Sequence, residues 1–163
     1  MSEAGQQELI VGRMQNPAVA LGLSVTAMVR DAALANLRFG AISRMLIGQI
    51  NRGHYLLAMK ADSVEGMVGW MPVRAEDAER WLDFDEDVPN APDTETDAVA
   101  LNIITYRNRR ALDALVAGMK TEFAGFRHLY AKRVYADGRV RPVRMPIGAH
   151  IADFAAQLPE SSR

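Results

Sequence analysis

The chain predicts an α+β domain in which a mostly antiparallel sheet is flanked by helices. Three observations lead there. Apolar residues recur at helical spacing twice before residue 53, and the period then shifts to that of strands. Two pairs of strands are joined by short turns, which makes their members antiparallel neighbours. The full order, helix, helix, strand, strand, helix, strand, helix, strand, strand, is that of an α+β fold.

Each element has a local reason. Residues 1–15 read as a flexible N-terminal arm, residues 16–158 as a single domain and residues 159–163 as a tail. Asn16-Pro17 starts the first helix, with a side-chain cap followed by proline at the first helical position. Leu21, Val25, Met28, Val29 and Ala32 follow at helical spacing. A second helix fits Ala41 to Arg52, with Ile42, Met45, Leu46 and Ile50 on one side and Gly53 placed to end it in the left-handed conformation. His54 to Lys60 and Gly66 to Val73 read as strands joined by ADSVE. Ala75 to Leu82 is a short helix with Glu76 and Asp77 in its first turn, where the helix dipole favours them. Asp83 to Asp97 is an acidic loop containing Pro89 and Pro92.

Ala98 to Tyr106 is the most apolar strand and is expected to be central. A helix from Asn108 to about Glu122 buries Leu112, Leu115, Val116 and Met119. Arg127 to Tyr135 and Val140 to Met145 are strands around the hairpin signal Asp137-Gly138. Gly148 to Leu158 forms a last helix.

Bulk composition limits the chemistry. With 163 residues, 49% hydrophobic and 24% charged, the chain suits one soluble domain with a real core. It has no cysteine, which excludes disulfides, thiolate nucleophiles and cysteine-ligated zinc. The first seventeen residues lack the layout of a signal peptide, and no apolar run is long enough to span a bilayer, so a cytoplasmic protein is expected. The net charge of -1 gives no reason to expect nucleic acid.

The charge is nevertheless divided. Residues Arg107 to Arg144 hold ten basic and three acidic residues, while the loop before Asp97 is acidic. Such a basic half attracts anionic partners. Arg107, Arg109 and Arg110 stand between a strand and a helix N-terminus, where positive charge is unfavourable unless an anion compensates it. They are the candidate phosphate- or carrier-binding residues. Arg139 and Arg141 alternate as in a phosphate-tracking strand, but no aromatic stacking pattern accompanies them, so nucleic acid is the weaker alternative.

One stretch resembles a known family. In GHYLLAMKADSVEGMVGWMPVRAEDAERWL, a Tyr-apolar-apolar strand turns into a second strand ending near Trp70, and a helix with acidic residues follows. Ala111-Leu112 then opens a helix with Phe123 or Phe126 near its end, before the basic strands RHLYAKRVYADGRVRPVR. Over roughly residues 18 to 146 the chain resembles the RTX toxin-activating lysine acyltransferases, a GNAT-like group acting on haemolysin-type protoxins. The resemblance implies a GNAT-like fold and transfer of a fatty acyl group from acyl carrier protein to a protein lysine. It implies no other bound cofactor: the acyl-carrier thioester is the donor, and the acidic carrier and a protein substrate are the partners. A homodimer is also compatible with it.

In that family a histidine between the first two helices and an aspartate on the central strand are catalytic. Here the first region is Arg30 to Asn36, which has no histidine; Leu34 falls closest. The aspartate's place falls at Leu101 or Asn102, and the glycines of the following loop fall at Arg107 and Arg110. Two readings therefore stay open: an acyltransferase with a rebuilt site, or a non-catalytic module binding a carrier or a protein.

The residues available for a rebuilt site are His54, Asn102 and Tyr106. His54 begins a strand, where a half-exposed polar residue is the simpler explanation. Asn102 and Tyr106 are four apart on one strand and are expected on the same face, an asparagine to hold a carbonyl and a tyrosine as a weak acid. His128 suits a solvated sheet face, and His150 a surface pair with Asp153. The histidines are too scattered for a metal site. Asp83 to Asp87 begins like a calcium loop but has Val88 where glycine is needed and Thr94 where glutamate is needed. Ser24, Ser43 and Ser63 have no base nearby in sequence, so a serine hydrolase is not supported.

Overall fold

The fold is that of a computed structural model, which describes residues 8–84, 87–89, 91–135, 137–148 and 150–159. Residues 1–7 of the expected arm, Asp85 and Glu86 of the acidic loop, residues 160–163 of the tail and the His150 side chain lie outside the described residues. So does the expected His150–Asp153 pairing.

In chain order the elements are β1 (Leu9–Gly12), α1 (Pro17–Met28), α2 (Ala32–Ala35), α3 (Phe39–Arg52), β2 (Tyr55–Lys60), β3 (Ser63–Val73) and α4 (Ala75–Phe84). A 3-10 turn (Asp93–Glu95), β4 (Ala98–Tyr106), α5 (Arg109–Glu122), β5 (His128–Val134), β6 (Val140–Pro146) and α6 (His150–Ala156) follow. The strands form one six-stranded sheet in sequential order. All neighbours are antiparallel except β4 and β5, which run parallel across the α5 crossover. The expected α+β class with a mostly antiparallel sheet is the observed one.

Several local expectations are met. Asn16 Oδ1 accepts hydrogen bonds from the Ala18 and Val19 amides at 2.9 and 3.3 Å, with Pro17 opening α1. Gly53 closes α3 at φ 72°, a conformation glycine adopts without a Cβ penalty. Other expectations are corrected. Leu9–Gly12, inside the expected loose arm, is a strand on the edge of β2. The β2–β3 connection is Ala61-Asp62 alone, because Val64 joins the core and carries the strand back to Ser63.

The first helical pattern also divides differently. α1 ends at Met28, and Asp31 caps a separate short α2 by accepting from the Ala33 and Leu34 amides at 2.9 and 3.4 Å. The buried side of α1 is Ala20, Ser24, Ala27 and Met28, whereas Val25 and Val29 are exposed. α1 is apolar on nearly every side, so periodicity alone does not choose its buried face.

Two hydrophobic layers cover the sheet. On one face α5 and α6 pack through Leu112, Leu115, Met119, Phe123, Ile151 and Phe154 onto Leu56, Val68, Trp70 and Leu129. On the other, α1 and α3 pack onto Tyr55, Leu57, Met67 and Ile103. The expected acidic surface loop after α4 contains the 3-10 turn, and Asp97 at its end accepts from the Ala75 amide at 3.0 Å.

Candidate functional site

The site follows from how β4 is paired. Toward β3 its register slips: Gly69 faces Ile103 and Trp70 faces Leu101, so Asn102 is an extra residue in a β-bulge. Toward β5 it pairs only from Ala98 to Leu101, opposite His128 to Ala131. Beyond Leu101 the parallel strands part, and the β5-side backbone edge of β4 has no strand partner. A cavity of about 240 Å3 fills the wedge. Leu101, Asn102, Ile104 and Tyr106 line it from β4, Lys132 and Arg133 from β5. Asp31 and Leu34 close one end, and Phe154, Leu158 and Pro159 the other. The slot thus passes between the strands and reaches both faces of the sheet.

The bulge corrects one expectation. Asn102 and Tyr106 both line the slot but do not share a face. Asn102 Oδ1 accepts from Gln49 Nε2 at 2.6 Å, and its amide nitrogen donates to Met45 Sδ at 3.1 Å, so it is turned toward α3. Tyr106 packs on the α5 side, and its hydroxyl donates to the Pro159 carbonyl at 2.8 Å. The extra residue breaks the two-residue alternation between positions 102 and 106. Burial pushes the Tyr106 hydroxyl pKa up, so at neutral pH it remains a donor.

His54 is not brought to the slot. It lies just before β2, two strands from β4, with its ring 6.2 Å from that of Trp70. Its buried Nδ1 has no hydrogen-bond partner among the described residues. Burial first, then the nearby Arg52 charge, hold its pKa below 6.5, so the imidazole is neutral at pH 7.

The arginines after β4 lie outside the slot lining. The Arg107 amide donates to the Glu65 carbonyl at 2.8 Å, and its guanidinium is 3.3 Å from the Glu65 carboxylate. Arg109 reaches the Asp113 carboxylate at 2.9 Å and the Ala155 carbonyl at 3.1 Å. Arg110 is exposed and makes no ion pair among the described residues. The α5 N-terminus is capped by Asn108, whose Oδ1 accepts from the Ala111 amide at 2.9 Å. The anion facing this helix start is therefore Glu65, from the chain itself.

Three residues at or beside the site were not anticipated from sequence. Asp31 supplies the carboxylate of the slot. Its Oδ1 is used in capping α2, and Asp31-Ala32-Ala33-Leu34 carries the local signature of such a helix start. Gln49 is buried and donates to both Asn102 and the Trp70 carbonyl, while its Oε1 has no partner among the described residues. It lies against Gly69, where a Cβ would meet that oxygen at 2.7 Å. Glu65 had no sequence signal as a counter-charge, because Arg107 and Asn108 are 42 and 43 residues away. Among the described residues no cluster of three or more metal-ligating side chains occurs, and no helix is long and apolar enough to cross a membrane.

No family model matches the chain, and no curated protein matches it. Solved structures do. A mosquito arylalkylamine N-acetyltransferase like 5b superposes with a TM-score of 0.51 at 10% identity, covering 77% of this chain and 76% of the other. An agmatine N-acetyltransferase variant in its apo form gives 0.51 at 9% identity, covering 78% and 77%. A GNAT-family acetyltransferase from Brucella melitensis, in complex with acetyl-CoA, gives 0.48 at 13% identity, covering 91% and 100%. The six-stranded sheet, the single parallel pair and the wedge between its strands give this chain a GNAT-like fold.

Proposed function

We propose that the protein is an acyltransferase that lays a phosphopantetheine-linked acyl thioester through the β4–β5 slot and delivers the acyl group to a lysine amine. The finer reading, from the resemblance to the toxin-activating enzymes, is acyl carrier protein as donor and a protein lysine as acceptor. Arg110, the cation of its loop without an ion-pair partner among the described residues, is the natural contact for the carrier's acidic surface. The observation that carries the proposal is the slot. Leu34, Leu101, Ile104, Phe154 and Leu158 give it apolar stretches of wall, and the free edge of β4 offers backbone groups to the amides of an extended arm.

The chemistry balances with residues of the slot. The lysine nitrogen attacks the thioester carbonyl carbon, and β4 amides facing the wedge can hold the developing oxyanion. Collapse breaks the C–S bond. Asp31 Oδ2 takes the proton from the nitrogen and returns it to the leaving sulfur. Asp31 comes from the segment in which the resemblance expects a histidine, and it shares the slot with Tyr106.

The test mixes the protein with fatty acyl carrier protein and a lysine-bearing acceptor and follows intact masses. Acyl gain on the acceptor, reduced on the order of 100-fold or more by Asp31→Asn, supports the reading. Asparagine keeps the α2 cap, so the fold is retained. A second reading, carrier binding without transfer, is favoured by the engagement of Tyr106 with Pro159 and the distance of His54 from the slot. Saturable binding with no acyl transfer under any condition would decide for it.

A further inference from the structure

We infer that Arg133 and Arg141 form a binding site for a phosphate ester on the β5–β6 ribbon, beside the slot. The inference rests on the reading of the slot as the channel of a donor arm, and it assigns that arm's anionic end. Arg133 faces Arg141 directly in the antiparallel register, and cross-strand partners project from the same side of a sheet. Both line a second cavity, of about 200 Å3, whose described lining includes Arg144 and no carboxylate. Like charges placed directly opposite are unfavourable without a compensating anion.

Neighbouring arginines show what compensation looks like in this chain. Arg139 pairs with Asp137 at 2.6 Å, and Arg144 with Glu79 and Asp83, each at 2.6 Å. Arg133 and Arg141 make no ion pair among the described residues; Arg133 stacks on Tyr135 at 4.8 Å. Two adjacent guanidinium forks suit the oxygens of a phosphate. The position suits an arm as well, because Arg133, Phe154 and Leu158 line both cavities. An anion held by the arginine pair continues along an apolar wall into the slot, matching the order of phosphate, amide chain and thioester in phosphopantetheine.

The full chain is titrated calorimetrically with 4'-phosphopantetheine and with pantetheine, which lacks the phosphate. The expected result is a preference of about tenfold or more for the phosphorylated arm. Arg141→Gln abolishes that preference and Arg133→Gln weakens it. Removing one of two opposed like charges leaves the ligand-free melting temperature unchanged or raised, so lost binding is not lost folding. The same phosphate occurs on coenzyme A and on a carrier protein. Coenzyme A binding as well as the carrier-bound arm assigns the free thioester, tighter carrier binding assigns the carrier, and both outcomes support the site.

Equal binding of the two arms, or a phosphate preference that survives both substitutions, would overturn the site while leaving pantetheine in the slot. The opposite pattern is a phosphate-induced rise in melting temperature that Arg141→Gln removes, with no pantetheine binding. It would support the anion site and sink the donor-arm reading.

Discussion

Substitution of Glu65 by glutamine tests how the chain balances its arginine loop. Glu65 lies on β3 beside the start of α5 and is 9% exposed. Its carboxylate accepts from Ser63 Oγ at 3.0 Å, from the Arg107 guanidinium at 3.3 Å and from Asn108 Nδ2 at 3.5 Å. Because the Arg107 side chain is 53% exposed, solvent limits that pair to about 1 kcal/mol at most. A negative charge at a helix N-terminus contributes about 0.3–1 kcal/mol. Glutamine keeps one oxygen for Ser63 and Arg107, which share Oε1, but turns an N–H2 toward the donor of Asn108, and it carries no charge to pair with Arg107. Together these predict a loss of about 1–2 kcal/mol, or roughly 3–6 °C in melting temperature for a chain of this length. Thermal unfolding followed by circular dichroism measures it, with and without sulfate. Sulfate is expected to restore more stability to Glu65→Gln than to the parent, because an external anion can then occupy the loop. An unchanged melting temperature, or no extra response to sulfate, would refute the claim that Glu65 is the counter-charge of this helix start.

Other consequences follow from single contacts. Gly66→Ala would place a Cβ 2.8 Å from the Thr105 carbonyl and 3.0 Å from Leu115 Cδ1. The nearer obstacle is backbone, so a loss of about 1–3 kcal/mol is expected in chemical denaturation; a neutral result would show that β3 and β4 can separate there. Tyr106→Phe removes the bond to Pro159 and is expected to cost about 1 kcal/mol and to speed amide exchange in α6, whereas unchanged exchange would separate α6 from that anchor. For His54, the folded state has the lower pKa and the unfolded chain titrates near 6.5. Between these values the unfolded state binds more protons, so stability is full above about pH 6.5 and falls as pH drops toward the folded pKa. His54→Gln should flatten that part of the stability profile, and parallel profiles for the two proteins would contradict the burial assigned to the imidazole.

Local physics determined most of the elements from the sequence. The Asn16-Pro17 cap, the left-handed Gly53 and the apolar run of β4 each act within a few residues, and each appears where local rules place it. The order of strands and helices was enough for the α+β class, and the resemblance pointed to a GNAT-like fold. Tertiary structure decided the site. The bulge at Asn102 depends on the register against β3, which a single strand does not encode, and it turned Asn102 away from the face of Tyr106. The slot exists because β4 and β5 part after four paired residues, a property of two strands joined through α5. Charge balance was equally non-local. Arg107 meets Glu65 across forty-two positions, while Arg133 meets Arg141 only because a hairpin folds one against the other. Side-chain chemistry was legible one residue at a time; which residues share a face, a cavity or a counter-charge depends on pairings that exist only once the sheet has formed.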